Sequence, residues 1–269
     1  MKDLQKKVAV VTGASQGIGR AISLALAKKG CRLALIARGK DKLQLVADEI
    51  TSQGGKAEIY PSDMSDPEAV YQVMQQIESD AGSLDILVNN AGLGTFKPLH
   101  LTSKEELLQP LYLPYASALV AVHAVLPGMS ERGSGHIVNL TSPAGYFPIP
   151  NMIPYTSSRY AIVGLSLSLH DELAPKGIGV SLLCPGHVDT GYFENNNADM
   201  DWYPKISKLF PTIQAEDVAK QVISAIRYNK KEVIFPFTLW FMTRFTQTFP
   251  DPTYFFLKRF GLWEASVQS

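Results

Sequence analysis

The sequence predicts an α/β protein with one doubly wound parallel sheet and helices on both of its faces. Short apolar runs rich in β-branched residues alternate with helical patterns along nearly all of the 269 residues, an order typical of parallel sheets joined by crossover helices. No repeat, low-complexity tract or linker interrupts this order, so we expect a single domain. The seven expected strands lie near residues 7–12, 31–37, 57–60, 84–88, 136–141, 178–184 and 232–235.

The first apolar run leads directly into a turn of the pattern Thr-Gly-x-x-x-Gly-x-Gly, and an Ala/Leu-rich helical pattern follows. Glycines let backbone N–H groups approach an anion closely, and the first helical turn adds its unpaired donors and the positive end of its dipole. This Rossmann-type arrangement suits a diphosphate, although closely spaced glycines also occur in ordinary turns. The turn residues expected to bind the phosphates are Gly13, Ser15, Gln16, Gly17, Ile18 and Gly19.

The amino-acid composition limits the kinds of molecule that the protein would bind. Hydrophobic residues make up 46% of the chain and charged residues 19%, which is enough apolar material for a full core. The 25 Lys and Arg balance the 25 Asp and Glu, so nothing attracts nucleic acid non-specifically. We expect small or apolar partners and no metal site.

Three features favour a cytosolic protein. Only four apolar residues follow the charged segment 1–7 before Thr12, too few for the core of a signal peptide. No run approaches the roughly 18 to 20 apolar residues that cross a bilayer. Cys31 and Cys184 lie far apart in apolar patterns, as expected of buried thiols in a reducing compartment.

The tip of the second strand bears on the choice of cofactor. In Rossmann-type proteins this tip lies beside the adenosine ribose, where a carboxylate would bind both ribose hydroxyls. Here Ala37 occupies the tip and Arg38 follows, which offers a charge-assisted partner to a 2′-phosphate. The sequence therefore favours NADP over NAD, the alternative being that Arg38 is a solvated surface residue.

Three further motifs follow in order, each close after an expected strand. The first is Asn89-Asn-Ala-Gly92, and the second is Ser142-Pro-Ala-Gly145 with Tyr155-Thr-Ser-Ser-Arg159 beginning thirteen residues after Ser142. The third is Cys184-Pro-Gly-His-Val-Asp-Thr190. With the glycine turn, this order resembles the short-chain dehydrogenase/reductase family over roughly residues 6 to 235.

The resemblance implies an oxidoreductase with a catalytic tyrosine. Tyr155 would act as the acid/base, Ser142 would orient the substrate oxygen, and Arg159 would supply a cation and contacts to the cofactor ribose. Residues four apart share a helix face, and a nearby cation stabilises a phenolate, whose unperturbed pKa of about 10 lies well above neutral pH. Singly, Tyr155 and Ser142 would pass for ordinary polar residues.

The resemblance also implies contacts between the cofactor and residues at other strand ends. Asp63 matches the family residue that binds the adenine amino group, although alone it would pass for a turn or capping aspartate. The remaining expected cofactor contacts are Asn90, Ala91, Gly92, Pro185, Gly186, Val188 and Thr190.

Two positions depart from the family's pattern. Arg159 stands in place of lysine, and Pro114 stands in place of an asparagine that supports a proton relay. Arginine keeps the charge but stays protonated and is planar and bulky, and proline offers no side-chain donor or acceptor. A catalytically weak NADP-binding sensor or scaffold therefore stays open as the alternative to an enzyme. Pro110 and Pro114 also predict a break in any helix over 103–128, with the helix resuming near Tyr115.

We expect a domain over residues 1–235 that includes a substrate lid at about 192–210. Polar residues at 195–197 followed by aromatic ones are typical of a flap that closes on an apolar ligand. An aromatic-rich C-terminal helical extension of the same domain is expected over 236–269. The opposite wall of the substrate site is expected to contain Tyr146, Phe147, Pro148, Ile149, Met152 and Ile153.

The segment from Phe235 to Trp263 holds eleven of the chain's 26 aromatic residues, together with three basic ones. Two interpretations stay open: a helix packed over the substrate cleft or a partner subunit, or a segment lying on a membrane surface. Both favour a lipophilic substrate, such as a steroid, retinoid or fatty-acyl derivative, over a sugar. Because family members commonly dimerise or tetramerise, the resemblance implies a homo-oligomer.

Overall fold

The computed structural model describes residues 1–192 and 200–262. It contains β1 Val8–Thr12, β2 Arg32–Ala37, β3 Lys56–Pro61, β4 Ile86–Asn89, β5 Gly135–Leu140, β6 Ile178–Pro185, β7 Val188–Asp189, β8 Ile213–Gln214 and β9 Glu232–Phe235. Seven of these strands form one parallel sheet in the order β3-β2-β1-β4-β5-β6-β9, which confirms the predicted architecture. The short strands β7 and β8 pair with each other.

Helices connect successive strands of the main sheet and continue beyond its last strand. Their bounds are α1 Gly17–Ala27, α2 Lys40–Ser52, α3 Pro67–Ala81, α4 Lys104–Pro110, α5 Ser117–Glu131, α6 Ile153–Leu173, α7 Ala215–Tyr228, α8 Phe237–Thr248 and α9 Pro250–Arg259. The helices α8 and α9 follow β9 and belong to the predicted C-terminal extension.

Alternate side chains of the strands enter two hydrophobic layers, one on each face of the sheet. Val11 and Leu35 belong to a layer shared with α1, α2 and α7, whereas Val10 and Ile36 belong to a layer shared with α3 and α5. Such two-sided burial explains why the strands are nearly continuous apolar runs. It also fixes the carboxyl ends of β1 and β4, which are neighbours, at the point where the strand order reverses.

The predicted break between α4 and α5 is wrong, because the chain stays helical from Lys104 to Glu131. A π-helical segment, Leu111–Ala116, joins the two helices. The Ser117 N–H donates to the carbonyl of Tyr112, five residues back, and the Ser117 hydroxyl donates to the carbonyl of Leu113. The wider turn accommodates Pro114, which has no N–H to contribute to an α-helical ladder.

This continuous helix also corrects the expectation about membrane-crossing length. Its 28 residues include an 18-residue window with a mean hydropathy of 1.4, which is long and apolar enough to span a bilayer by composition. Scattered polar residues and prolines hide this in the sequence, since they interrupt every apolar run. In the folded chain 39% of that window is buried, and Val125 and Met129 belong to the layer that contains α3.

The buried His136 predicts a pH dependence of stability. Its side chain is 1% exposed, and its Nε2 lies 2.9 Å from the Ser181 hydroxyl. Burial, together with the charges of the N-terminus and His170, lowers the pKa of His136 to about 3. Only the unfolded chain therefore binds this proton between about pH 6.5 and pH 3, so stability falls as pH falls through that range.

We expect His136→Gln to remove this contribution while keeping a polar partner for Ser181. One proton is worth roughly 1.4 kcal/mol per pH unit, so the native protein should lose about 2 kcal/mol more than the variant between about pH 6.5 and pH 5. Urea unfolding at the two pH values measures the difference. Equal losses for the two proteins would contradict the assignment.

Candidate active site

A cavity of about 690 Å³ opens at the carboxyl ends of the strands, across the point where their order reverses. This is the usual position of ligands in doubly wound sheets. The structure brings every predicted site residue to this cavity. Its lining includes Gly13, Ser15, Gln16, Gly17, Ile18, Gly19, Arg38, Asp63, Asn90, Ala91, Gly92, Ser142, Tyr155, Arg159, Pro185, Gly186, Val188 and Thr190.

The turn after β1 leaves room that only glycines provide. A Cβ added at Gly19 would lie 2.1 Å from the carbonyl oxygen of Gly13, and Gly13 and Gly17 have φ angles of 67° and 52°. The N-cap residue Gln16 makes no side-chain hydrogen bond to the first turn of α1. Bare backbone and uncapped N–H groups thus face the cavity, and this cradle fits a diphosphate.

Polar groups at the end of β4 hold the glycine turn in place. Asn90 Nδ2 donates to the carbonyls of Thr12 at 2.9 Å and Gly13 at 3.3 Å. The Thr12 hydroxyl oxygen accepts from the backbone N–H groups of Asn90 and Ala91, both at 3.0 Å. The Asn-Asn-Ala-Gly motif therefore connects β4 to the turn after β1.

A basic corner of the cavity lies at the ends of β2 and β3. Arg38 lines it with Lys42, whose Nζ donates to Gln16 Oε1 at 3.5 Å. Asp63 Oδ1 accepts from the N–H and the hydroxyl of Ser65. The Ser65 N–H, then its hydroxyl and the charge of Arg38, lower the pKa of Asp63 against the opposing effect of partial burial. Lys42 was missed by sequence reasoning, although it follows Arg38 by one helical turn.

Tyr155 and Arg159 lie one turn apart near the start of α6. The guanidinium carbon of Arg159 is 4.8 Å from the centroid of the Tyr155 ring, a distance typical of a cation–π contact. Arg159 is only 6% exposed, and its Nη1 donates to the carbonyl of Leu140 at 3.2 Å. Its Nε has no hydrogen-bond partner among the described residues. A Cβ on Gly92 would lie 2.7 Å from its Nη2, so a side chain at position 92 would displace the end of the guanidinium.

A second phenol, Tyr192, joins this pair and was missed by sequence reasoning. The side chains of Tyr155 and Tyr192 both interact electrostatically with the Arg159 guanidinium. Burial lowers the pKa of Arg159, but the two phenols outweigh this effect and raise it above its ordinary value, so the guanidinium stays charged. Burial and the neighbouring Tyr155 raise the pKa of Tyr192. No sequence motif marks Tyr192, which follows the last motif by two residues.

Ser142 is placed to donate a hydrogen bond into the cavity. Its Oγ accepts from the Ala144 N–H at 3.2 Å at the start of a short 3-10 turn. Within 1–192 and 200–262 its hydroxyl hydrogen has no acceptor. The group can therefore donate to an oxygen of a bound ligand.

Only part of the predicted substrate wall lines the cavity. Ile149 and Met152 do so, but Tyr146 and Phe147 are buried in a separate cluster with Leu239, where the Tyr146 hydroxyl donates to Glu232 Oε1 at 2.6 Å. Pro148 and Ile153 are exposed. Their assignment to the wall is wrong, because an apolar run looks alike in sequence whether it faces a cavity or the core.

Aromatic residues complete the wall of the cavity. The ring centroid of Phe96 lies 5.4 Å from that of Tyr155 and 6.0 Å from that of Tyr203. Tyr192 at the start of the predicted lid and Tyr203 within it line the cavity, whereas its residues 193–199 lie outside the described residues. No described residue of α8 or α9 lines the cavity, and the interpretation that these helices pack over the substrate cleft stays a prediction.

A doubly wound sheet with a glycine cradle and a phenol–guanidinium pair at its strand ends defines a Rossmann-type α/β protein of the oxidoreductase class. A family model for short chain dehydrogenases matches residues 7–201, and the chain belongs to this family. It is 32% identical over 253 residues to 17-beta-hydroxysteroid dehydrogenase 13 from Homo sapiens, an alignment that covers 93% of this chain and 81% of the relative.

Solved structures of similar proteins hold nicotinamide dinucleotides. A metagenomic short-chain oxidoreductase in complex with NADP is 31% identical, with a TM-score of 0.73 over 87% of this chain and 98% of that one. A short-chain dehydrogenase/reductase from Burkholderia phymatum in complex with NAD is 26% identical, with a TM-score of 0.84 over 94% of this chain and 97% of that one.

We expect Gly19→Ala to weaken NADPH binding by at least about tenfold and to destabilise the fold by about 1–3 kcal/mol, because the new methyl group collides with the Gly13 carbonyl. Fluorescence titration with NADPH and thermal unfolding measure the two effects. Gly164→Ala is the matched control, since no atom lies within 4 Å of its added Cβ. It should keep the affinity and stabilise α6 by up to about 1 kcal/mol. Unchanged binding by Gly19→Ala would contradict the cradle.

Proposed function

We propose that the protein is an NADP-dependent oxidoreductase that transfers a hydride between nicotinamide and the carbonyl or hydroxyl carbon of a hydrophobic substrate. The observation that carries this proposal is the buried Arg159 against the Tyr155 ring, in the same cavity as the glycine cradle. The hydroxysteroid dehydrogenase relative supports a steroid or similar lipid as the substrate class. Apolar side chains in the cavity, including Leu113, Ile149 and Met152, suit such a molecule.

The chain's own residues supply binding, orientation and the proton. A bound nicotinamide cofactor would supply or accept the hydride. The Tyr155 hydroxyl gives a proton to the substrate oxygen or takes one from it, and the charge of Arg159 stabilises the phenolate that results. Ser142 donates a hydrogen bond to the same oxygen. Arg159 lines the cavity, where its guanidinium would contact a ribose hydroxyl of the cofactor.

The replacement of lysine by arginine changes how the Tyr155 proton is restored. Arginine stays protonated and cannot pass a proton on, and Pro114 offers no polar side chain. We assign that route to the Tyr192 hydroxyl, because Tyr192 is close enough to Tyr155 and Arg159 to interact electrostatically with both. Arg159 and Pro114 also favour a second candidate function, a catalytically weak NADP-binding sensor or scaffold.

Three further features belong to this proposal. The charge of Arg38, supported by Lys42, favours NADP over NAD because it faces the position of a 2′-phosphate.

Residues 1–235 act as the catalytic domain, with 236–269 as its extension. The protein forms a homo-oligomer and is cytoplasmic, with a membrane contact through its C-terminal aromatic segment.

Tyr155→Phe removes the acid/base group and should lower turnover of lipophilic ketones by at least about 100-fold, with NADPH affinity changed by less than a few fold. Steady-state oxidation of NADPH over a panel of such ketones measures the rate. Tyr160→Phe is the matched control, because Tyr160 lies on the same helix but is 43% exposed and outside the cavity. Full turnover by Tyr155→Phe would refute the assignment.

Arg159→Lys separates the two candidate functions. A large gain in rate at unchanged NADPH affinity would show that the native site is catalytically weakened, as a sensor or scaffold requires. Robust turnover by the native protein on any ketone of the panel would remove that second candidate. The same NADPH oxidation assay measures both.

Arg38→Ala should raise the dissociation constant for NADPH by about 10- to 100-fold, which is the value of a charge-assisted hydrogen bond. The dissociation constant for NADH should stay within about twofold, since NADH lacks the 2′-phosphate. Arg32→Ala is the control, because Arg32 pairs with Glu58 outside the cavity. An equal loss of affinity for both nucleotides would contradict the assignment of Arg38.

A further inference from the structure

The two C-terminal helices expose a dense set of aromatic side chains, which we call the aromatic surface. Each member is between 39% and 73% exposed. Neighbouring rings lie against one another, with centroids 5.5 Å apart for Phe237 and Trp240 and 5.3 Å apart for Phe245 and Phe249. The members are Phe237, Trp240, Phe241, Phe245, Phe249, Phe255, Phe256 and Phe260.

The opposite sides of the same helices fix this orientation. Leu239 and Thr243 of α8 and Leu257 of α9 are buried. Arg244 forms a salt bridge with Glu232 on β9, and Glu232 also accepts the hydrogen bond of Tyr146. The helices are thus held against the domain by their other face, so the aromatic rings stay in solvent.

Single exposed apolar residues are normal, whereas large exposed apolar patches mark interaction sites. The aromatic surface has eight exposed rings on and beside two consecutive helices, in three groups of rings in contact. Basic residues accompany the rings. Lys258 and Arg259, in the last turn of α9, are exposed and form no ion pair with any described residue. Arg259 lies between Phe255 and Phe256 around the helix, given 100° per residue. The only acidic residue of α8 and α9 is Asp251, at the opposite end of α9.

An apolar surface of this kind can bind either a second copy of the chain or a membrane, and the basic residues favour one of the two. In a twofold contact between identical copies, the same patch meets itself, which would bring the cations of both copies to one interface. Exposed aromatics with basic residues at their edge instead match the boundary between lipid chains and anionic headgroups. We propose that the aromatic surface is a peripheral membrane-binding site for bilayers that contain anionic lipid.

The aromatic surface is connected to the mouth of the cavity. The Ile206 N–H donates to the carbonyl of Leu262, just beyond α9, at 3.0 Å. Ile206 lies three residues after Tyr203, which lines the cavity. Membrane binding therefore places the cavity one short segment from the lipid phase. If the proposed function holds, a lipophilic substrate would enter from that phase.

The test is binding to vesicles, which needs no turnover and so fails independently of the proposed oxidoreductase function. We expect the protein to float with vesicles of phosphatidylcholine and phosphatidylserine. Phe255→Ser combined with Phe256→Ser should lower the partition coefficient by at least about tenfold. Leu45→Ser and Tyr228→Ser are matched controls, since these side chains are 69% and 70% exposed on other helices, and both should bind as the native protein does.

The contribution of the basic residues to vesicle binding is tested with a separate variant. Lys258→Glu combined with Arg259→Glu should lower binding to the anionic vesicles by about tenfold or more, as expected for two basic residues near such a surface, and should affect pure phosphatidylcholine less. Thermal unfolding checks that each variant folds. In a double variant that combines Trp202→Phe with Trp263→Phe, Trp240 is the only tryptophan left in the chain, so its fluorescence reports on the aromatic surface. That emission should shift to the blue when vesicles are added and be quenched by brominated lipid.

Failure of the native protein to bind anionic vesicles would overturn the proposal. So would equal binding by the phenylalanine variants and the native protein, or Trp240 emission unchanged by lipid. If those variants lower only the oligomeric mass in sedimentation and leave vesicle binding unchanged, the aromatic surface is a contact between copies of this chain and the membrane assignment is wrong.

Discussion

A charged guanidinium buried beside a phenol is the constraint on which the candidate active site depends. Because an uncompensated buried charge is costly, Arg159 needs the Leu140 carbonyl and the Tyr155 ring around it. The glycine at position 92 leaves room for Nη2, since an added Cβ there would lie 2.7 Å from it. The segments around Gly92, Leu140 and Tyr155, which are distant in sequence, therefore all pack against this one side chain. The Nε donor of Arg159 is buried and has no hydrogen-bond partner among the described residues, and the residue as a whole lines the cavity.

Most of the fold and much of the site could be predicted because a parallel sheet collects its strand ends at one edge. The glycine turn and Arg38 follow strands closely, and Tyr155 lies in the helix that follows β5, so sequence order brings all three into one cavity. Residues that reach the cavity without a motif escaped prediction, as Lys42 and Tyr192 did. The proline pair in the fourth connection indicated disrupted helical hydrogen bonds, but only tertiary packing selects a π-helical segment over a break.

The basic and the aromatic residues of the cavity lie in different parts of it. Basic residues at the ends of β2 and α2 mark one end of the cavity, and aromatic residues such as Phe96 and Tyr203 mark the other. Beyond Tyr203 the chain contacts the residues that follow α9, where exposed rings continue the apolar surface. Under the proposed function, the phosphates of the cofactor would bind beside the basic residues, and the lipophilic substrate would bind beside the aromatic ones.

The central claim is that Tyr155 and Arg159 converge on a nicotinamide ribose seated above the glycine turn, and a crystal structure with NADP⁺ tests it most directly. We expect a ribose hydroxyl within about 3.2 Å of both the Tyr155 hydroxyl and an Arg159 nitrogen, with the diphosphate against Gly17. A glycine turn left empty at saturating NADP⁺, or a Tyr155 hydroxyl directed into the core, would contradict it.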